Sequence, residues 1–434
     1  MTPGVLARVD GADTDGRQRG GARKKCVPQW LNRQKRRSAA LPLGTHADFA
    51  SAPKQRHEGC SRAPLVTSTR YDERPFIAIW ETTQACDLVC KHCRACAQPE
   101  RSRDELSTQE AFRLLDRFAE VRVPLVVLTG GDPAKRPDLL ELVHYGTRRG
   151  LAMGLTPSTT PLVTPELVER LAQAGLKRLA VSIDGPEPMV HDGFRGVSGS
   201  FEHSLRILAA ARAAGIPTQV NTSVHAGSID RLSEMAAVVR RAGSVLWSVF
   251  FLVPTGRAEA HMLPSADAVE AALSELADIA QREPFAVKTT AAQHYRRVLL
   301  QRKKATGSQA QHGVYGQQAV RINDGRGFLF VSHRGEIFPS GFLPIPCGNV
   351  RGDDVIAVYR EHPVFRALRD PGELGGKCGA CEYKSVCGGS RARAFGLTGD
   401  YLASDPLCAY QPPGWVDDQE GAPRRLRHLA MAPA

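Results

Sequence analysis

Four cysteines, Cys86, Cys90, Cys93 and Cys96, fall within eleven residues of the stretch ETTQACDLVCKHCRACAQPE. Closely spaced thiolates are metal ligands before they are anything else. The spacing C-x3-C-x2-C of the first three would let one loop hold three irons of a [4Fe–4S] cube and leave the fourth iron open. Cys90, Cys93 and Cys96 also read as a ferredoxin-like run, in which a fourth thiolate closes the cube and makes an electron carrier. A zinc knuckle uses the same C-x2-C pairs. A second group, Cys378-x2-Cys381-x5-Cys387-x20-Cys408, supplies four ligands for one closed centre, structural zinc or an iron–sulfur cluster.

Composition bounds the setting. The chain has 434 residues and eleven cysteines, with 42% hydrophobic residues, an ordinary share for a globular protein. The most apolar run, around Ser244 to Val253, ends at Pro254 and is too short to span a bilayer. No apolar segment follows the basic N-terminus in the manner of a secretory signal. The expected location is the cytoplasm, where cysteines serve metals or redox work rather than disulfide frameworks. The net charge of +12 suggests nucleic acid, but residues 1–70 hold 14 Lys/Arg against 5 Asp/Glu, and the remainder 43 against 40. The basicity thus belongs to a Gly-, Ser- and Arg-rich segment without periodicity, expected to be a disordered tail. Neither nucleic acid nor membrane is expected as a partner. Cys26 and Cys60 in that segment receive no role.

From Tyr71 the sequence becomes regular. FIAIWETT, LVVLTGG, AMGLTPS, RLAVSIDG, TQVNTSV and VLWSVFFLV read as six strands. Amphipathic helical stretches separate them. Ser107 with Glu110 forms a capping box, Thr164 caps a helix beginning at Pro165, and Gly150, Gly175, Gly215 and Gly243 stand where helices end. Repeated βα units with nearly continuous apolar strands imply an α/β fold with a parallel sheet covered by helices. The cysteine loop follows the first strand directly, which is where βα barrels place their chemistry.

The triad Cys86, Cys90 and Cys93, with the aromatic His92 before its last cysteine, resembles the signature of the radical SAM superfamily. Thr129-Gly130-Gly131-Asp132-Pro133 after the second strand resembles the glycine-rich motif of that family. Ser182 and Asp184 after the fourth strand, and Asn221 on the fifth, resemble positions that hold the ribose and carboxylate of S-adenosylmethionine. The resemblance covers about Arg74 to Arg257. It implies a partial (β/α)6 TIM-like barrel in which Cys86, Cys90 and Cys93 ligate an open [4Fe–4S] cluster that binds S-adenosyl-L-methionine. His92, Gly130, Gly131, Asp132, Ser182, Asp184 and Asn221 would then contact the cofactor, and Cys96 would be an incidental thiol. Beside such a core, Cys378, Cys381, Cys387 and Cys408 resemble a SPASM or twitch-like auxiliary domain holding one further [4Fe–4S] cluster. Arg391 stands where the full pattern expects another cysteine, Pro339-Ser340 stands for its upstream Pro-Cys, and Cys347 is a candidate substitute ligand.

This gives four segments: a tail over 1–70, a radical SAM core over 71–290, an auxiliary iron–sulfur domain over 320–412 and a tail over 413–434. FLVPTGRA at 251–258 and the CGGSRARA stretch look most like the radical SAM proteins of alternative haem and dioxo-haem synthesis. The implied activity is reductive cleavage of S-adenosylmethionine to a 5′-deoxyadenosyl radical, which oxidises or couples an unactivated C–H position. The implied substrate is a tetrapyrrole, and the implied electron donor is a flavodoxin or ferredoxin. Arg391 and Arg393 would recognise substrate carboxylates. Lys288, Thr289, Thr290, His294, Tyr295 and Arg296 would line the pocket. Peptide maturation is the alternative substrate class. A non-catalytic iron–sulfur carrier or zinc scaffold is the alternative outside enzymes, and it has no use for the glycine motif.

Overall fold

The computed structural model describes residues 70–306 and 322–416. Cys26 and Cys60, and all but the inner ends of the two expected tails, lie outside them.

Six strands form where the apolar runs predict them: β1 (Ile77–Glu81), β2 (Leu125–Thr129), β3 (Met153–Leu155), β4 (Arg178–Ser182), β5 (Thr218–Val224) and β6 (Leu246–Phe251). A seventh, β7 (Ala286–Thr290), follows the helix Ala266–Arg282. Its alternation, AVKTT, is too polar to read as a buried strand. β8 (Phe328–Val331) lies parallel to β1 on its free side, and β9 (Glu336–Phe338) and β10 (Gly348–Asn349) continue antiparallel. The order β10-β9-β8-β1-β2-β3-β4-β5-β6-β7 leaves the sheet open. The fold is therefore the expected partial barrel, with its parallel run extended at both edges. The C-terminal segment joins the sheet of the core through β8.

Local signals act as read. Ser107 accepts from Glu110 N while the Glu110 side chain accepts from Ser107 N. Thr164 accepts from Leu167 N ahead of a first-turn proline. Gly150, Gly175, Gly215 and Gly243 all take left-handed φ angles, between 63° and 93°, which a side chain would resist.

Strand residues alternate between two environments. Trp80, Val126, Leu128, Leu179, Val181, Val220, Trp247 and Val249 turn outward and are buried against helices through Leu115, Phe118, Leu142, Val168 and Leu208. Each large apolar side chain so buried stabilises by roughly 1.5–3 kcal/mol. Trp247 Nε1 donates to Thr222 Oγ1 at 2.9 Å, and Thr222 donates to Ile183 O at 2.8 Å, whereas the buried Trp80 Nε1 in the same layer has no hydrogen-bond partner. The alternate residues, among them Ile79, Val127, Ser182, Asn221, Ser248 and Lys288, line a cavity inside the curved sheet. Among the described residues no helix is long and apolar enough to cross a membrane.

Candidate functional site

The site is built on the loop that leaves β1. Cys86, Cys90 and Cys93 all line the cavity, and Cys86 and Cys90 are buried. Amide groups point at their sulfurs: Leu88 N lies 3.4 Å from Cys86 Sγ, and Ala97 N lies 3.4 Å from Cys93 Sγ. Burial pushes the Cys86 thiol up to about 11, and burial likewise raises Cys90. Buried thiols raised in this way become thiolates when a metal offsets their charge. The donor set fits an iron–sulfur cluster.

The glycine motif after β2 fixes this loop. Gly131 N donates to Thr83 O at 2.7 Å and Asp132 N to Ala85 O at 2.6 Å. A Cβ on Gly131 would fall 2.3 Å from Ala85 O, and one on Gly130 would fall 2.5 Å from Thr83 O. The glycines thus bring two backbones together, and both also line the cavity. Asp132 departs from the cofactor-contact expectation. Its carboxylate turns inward, taking Ala134 N and Ser158 N on Oδ1 and the Thr160 hydroxyl on Oδ2. It braces the loop from behind.

Asp184 departs in the same way. It is fully enclosed, accepts from Ser223 N at 2.6 Å and holds the Arg195 guanidinium at 2.6 Å. Burial raises Asp184, but Arg195, His92, His191 and the Ser223 amide together outweigh it and hold the carboxyl below its usual range. Arg195, at the end of the helix Pro188–Arg195, is the residue that reaches the site, with Nη1 3.8 Å from Cys90 Sγ. No sequence signal singled it out. Ser182 and Asn221 line the cavity as expected. His92 also lines it, stacked on Phe194 with ring centroids 4.3 Å apart, and Phe194 stacks on His225 at 4.5 Å. Burial pushes His92 down to about 4, so the ring is neutral at pH 7.

Two further contacts hold the triad loop. Gly256, after β6, has φ +64°, and its Cβ would meet Cys93 O at 2.3 Å, while Arg257 N donates to Cys93 O at 3.0 Å. The buried Nε and Nη2 of Arg257 have no partner. Arg94 pairs with buried Glu81, which also accepts from His333 Nδ1 at 2.9 Å, tying the loop to the C-terminal segment. Burial raises Glu81, but Arg94 and His333 more than reverse it. Cys96 follows with a left-handed φ of 49° and lies outside the cavity lining.

The second cysteine group also assembles. Cys378 lies near enough to Cys381, Cys387 and Cys408 for its charge to add to what raises each of their thiols. A turn in which the amide two residues on donates to sulfur recurs at Cys381, Cys387 and Cys408, through Tyr383, Gly389 and Tyr410. Burial pushes Cys387 up to about 12 and Cys408 up to about 11. Arg297 stands near Cys387 and Cys408, and Arg391 Nη2 lies 3.6 Å from Cys378 Sγ. These cations suit a centre of four thiolates. Among the described residues no three His, Cys, Asp or Glu side chains converge on a single-ion site. A cube, whose thiolates each bind a different iron, asks for no such convergence.

Three expectations fail here. Arg391 and Arg393 cannot meet a substrate, because both are buried, at 1% and 0% exposure. Arg391 donates to Tyr401 O and Ala403 O, and Arg393 forks onto Asp405 at 2.9 and 2.8 Å. They brace the loop before Cys408. Cys347 sits in the apolar core, with its thiol donating to Ile345 O, and is not part of the four-thiol group. His294 is buried beside Asp405 at 3.1 Å and does not line the cavity, whereas Lys288, Thr289, Thr290, Tyr295 and Arg296 do.

The cavity itself measures about 2140 Å³. Phe328, Phe330, Ile77, Ile79 and Val127 make one wall apolar, and β4 to β7 supply the polar one. Val386, Asp324 and Ala392 bring the C-terminal segment to its edge.

The family model described as the radical SAM superfamily matches residues 80–238. The chain is 42% identical to a protein of Nitratidesulfovibrio vulgaris named AdoMet-dependent heme synthase, over 85% of this chain and 98% of that one. It is 28% identical to a PqqA peptide cyclase of Rhizobium meliloti, over 78% of this chain and 88% of that one. Among solved structures, Streptococcus suis SuiB bound to S-adenosylmethionine superposes with a TM-score of 0.61 at 15% identity, covering 78% of each chain.

Proposed function

This chain belongs to the radical SAM superfamily, and from that premise we propose that its radical chemistry acts on a tetrapyrrole. It is an enzyme that uses a [4Fe–4S] cluster and S-adenosyl-L-methionine. Together these supply a 5′-deoxyadenosyl radical able to take hydrogen from an unactivated C–H bond.

In this reading Cys86, Cys90 and Cys93 hold the cluster, and the amides of Leu88 and Ala97 with Arg195 stabilise the thiolate charge. Gly130, Gly131, His92, Ser182 and Asn221 present the cofactor-binding surface. Arg257, with two buried unpartnered nitrogens, is added as a donor for the cofactor's carboxylate. Asp132 and Asp184 act one layer back by holding the loop and Arg195. Cys378, Cys381, Cys387 and Cys408 would hold the auxiliary cluster, which would supply an electron acceptor for the substrate, and Val386 beside Cys387 lines the cavity. The stacked rings and apolar wall exclude water from the reacting region. A flavodoxin or ferredoxin is the proposed electron donor, and the cytoplasm the proposed location.

The observation that carries the substrate class is the cavity. At about 2140 Å³ it exceeds the roughly 1000 Å³ upper range of ordinary small-ligand sites. It has room for a nucleoside cofactor together with a macrocycle, with an apolar wall facing a polar one that carries Arg178 and Lys288. The near full-length match to a haem synthase agrees with this.

Anaerobically reconstituted protein given dithionite and S-adenosylmethionine should release 5′-deoxyadenosine, and an iron porphyrin bearing propionates should increase the yield and change in mass. Replacing Cys86, Cys90 and Cys93 together with alanine should abolish release, and Cys96→Ala should leave it. Equal loss in Cys96→Ala overturns the ligand assignment. A peptide that is modified where porphyrins are not overturns the substrate class.

A further inference from the structure

One row of cavity-facing residues starts on the cofactor-binding surface and ends at two residues, Ser248 and Lys288, that neither the cofactor nor either cysteine group uses. In the parallel register Ser182 stands beside Asn221, Asn221 beside Ser248, and Ser248 beside Lys288. In-register residues of neighbouring strands share a face, and all four line the cavity. The row crosses from the cofactor side at β4 to the far wall at β7.

Its far end is chemically incomplete. Ser248 is 0% exposed, and its hydroxyl has no hydrogen-bond partner. Lys288 makes no hydrogen bond or ion pair among the described residues. The carboxylates that line the cavity are committed elsewhere: Asp278 to Arg302, Glu283 to Arg240, and Asp324 to the Ala392 amide. The charges nearest Lys288 are cations, Arg296 and Arg178. Partial loss of solvation at the cavity wall, reinforced by these cations, pushes its ammonium down to about 8. Lys288 is exposed to the cavity, so an anion entering there meets an unpaired cation beside a buried hydroxyl whose missing partner costs free energy.

We propose that Ser248 and Lys288, backed by Arg296, form a carboxylate subsite in which the ammonium and the hydroxyl donate to one carboxylate arm of the substrate. The opposite wall of Phe328, Phe330, Ile77 and Ile79 takes the apolar body. The subsite fixes which edge of the substrate lies away from the triad loop, and so which position faces the cofactor. It deepens the tetrapyrrole reading and rests on it for the identity of the body, though not for the charge of the arm.

The test uses the full-length reconstituted enzyme with deuteroporphyrin IX, which has two carboxylate arms, and its dimethyl ester. Lys288→Met should weaken the diacid about tenfold or more, the loss expected for one charge-assisted bond, and leave the ester essentially unchanged. Lys288→Arg should retain most of the diacid affinity. The Tm of Lys288→Met should hold, because the side chain is exposed to the cavity and makes no hydrogen bond or ion pair among the described residues. Diacid affinity that survives Lys288→Met, or equal losses for diacid and ester, overturns the subsite. Should the wild-type enzyme bind neither porphyrin, the tetrapyrrole reading fails. The subsite is then decided with 8-anilinonaphthalene-1-sulfonate and its neutral analogue N-phenyl-1-naphthylamine. Selective weakening of the sulfonate in Lys288→Met upholds it, and no selectivity overturns it.

Discussion

At the scale of single residues, the buried ion pair Arg393–Asp405 is the most exposed to test. Both side chains are 0% accessible, and Asp405 also takes Ser390 N at 2.7 Å and lies 3.1 Å from His294. Removing one partner leaves a buried charge alone, at a cost of about 3–5 kcal/mol. Arg393→Met should therefore lower the denaturation midpoint sharply, and Asp405→Asn should do the same. The two losses should be less than additive in the double variant. Burial raises the Asp405 pKa, but Arg393 and His294 more than offset it and hold it far below the usual carboxylate range. Its stabilisation is therefore complete above the unfolded value of about 3.9, and fades only as pH falls towards the lower folded value. The stability gap between wild type and Arg393→Met should stay flat between about pH 5 and 8 and narrow only below about pH 4. A gap that closes near neutrality would show that another group titrates there.

At the scale of elements, two kinds of glycine do different work. Gly150 ends the helix Leu139–Arg148 with φ +83° and open space where a Cβ would stand. Gly131 lacks a left-handed φ but packs on the backbone that leads to Cys86, where an added Cβ would fall 2.3 Å from Ala85 O and 2.6 Å from Gln84 O. Gly150→Ala meets only the left-handed penalty, about 1 kcal/mol, and should keep full cluster content. Gly131→Ala has no soft side chain to push aside, so the loop must shift. It should lose iron from the first centre and 5′-deoxyadenosine release while keeping the second centre. Normal iron content and release in Gly131→Ala would show that the loop tolerates displacement.

At the scale of the whole molecule, one sheet carries both cysteine groups. β8 pairs with β1, so the strand feeding the triad loop is also the attachment of the C-terminal segment. Arg94, Glu81 and His333 make a second tie between them. If each group holds a [4Fe–4S] cluster, the triple alanine variant of Cys86, Cys90 and Cys93 should remain brown. It should keep about half of the iron and sulfide and show a reducible cluster by electron paramagnetic resonance. Adding Cys347→Ala should change none of this, since Cys347 lies in the apolar core. A colourless triple variant with one bound zinc would make the second centre structural and remove its proposed role as electron acceptor.

What the sequence determined alone is what short-range chemistry determines. Cysteine spacing singled out the two cysteine groups, capping residues and glycines bounded the helices, and strand runs with intervening helices implied the parallel sheet. Those signals lie within a few residues of one another, where steric and hydrogen-bonding rules act. Tertiary structure alone decided which charges were already spent. Arg391 and Arg393 read as substrate ligands until Asp405 and the carbonyls of Tyr401 and Ala403 are seen to occupy them. Asp132 and Asp184 read as cofactor contacts until their oxygens are found turned inward. Arg195 and the Ser248–Lys288 pair became visible only when elements distant in sequence met in register. A charge acts through its nearest neighbours in space, and for a strand residue those come from other strands, a relation that no local period encodes.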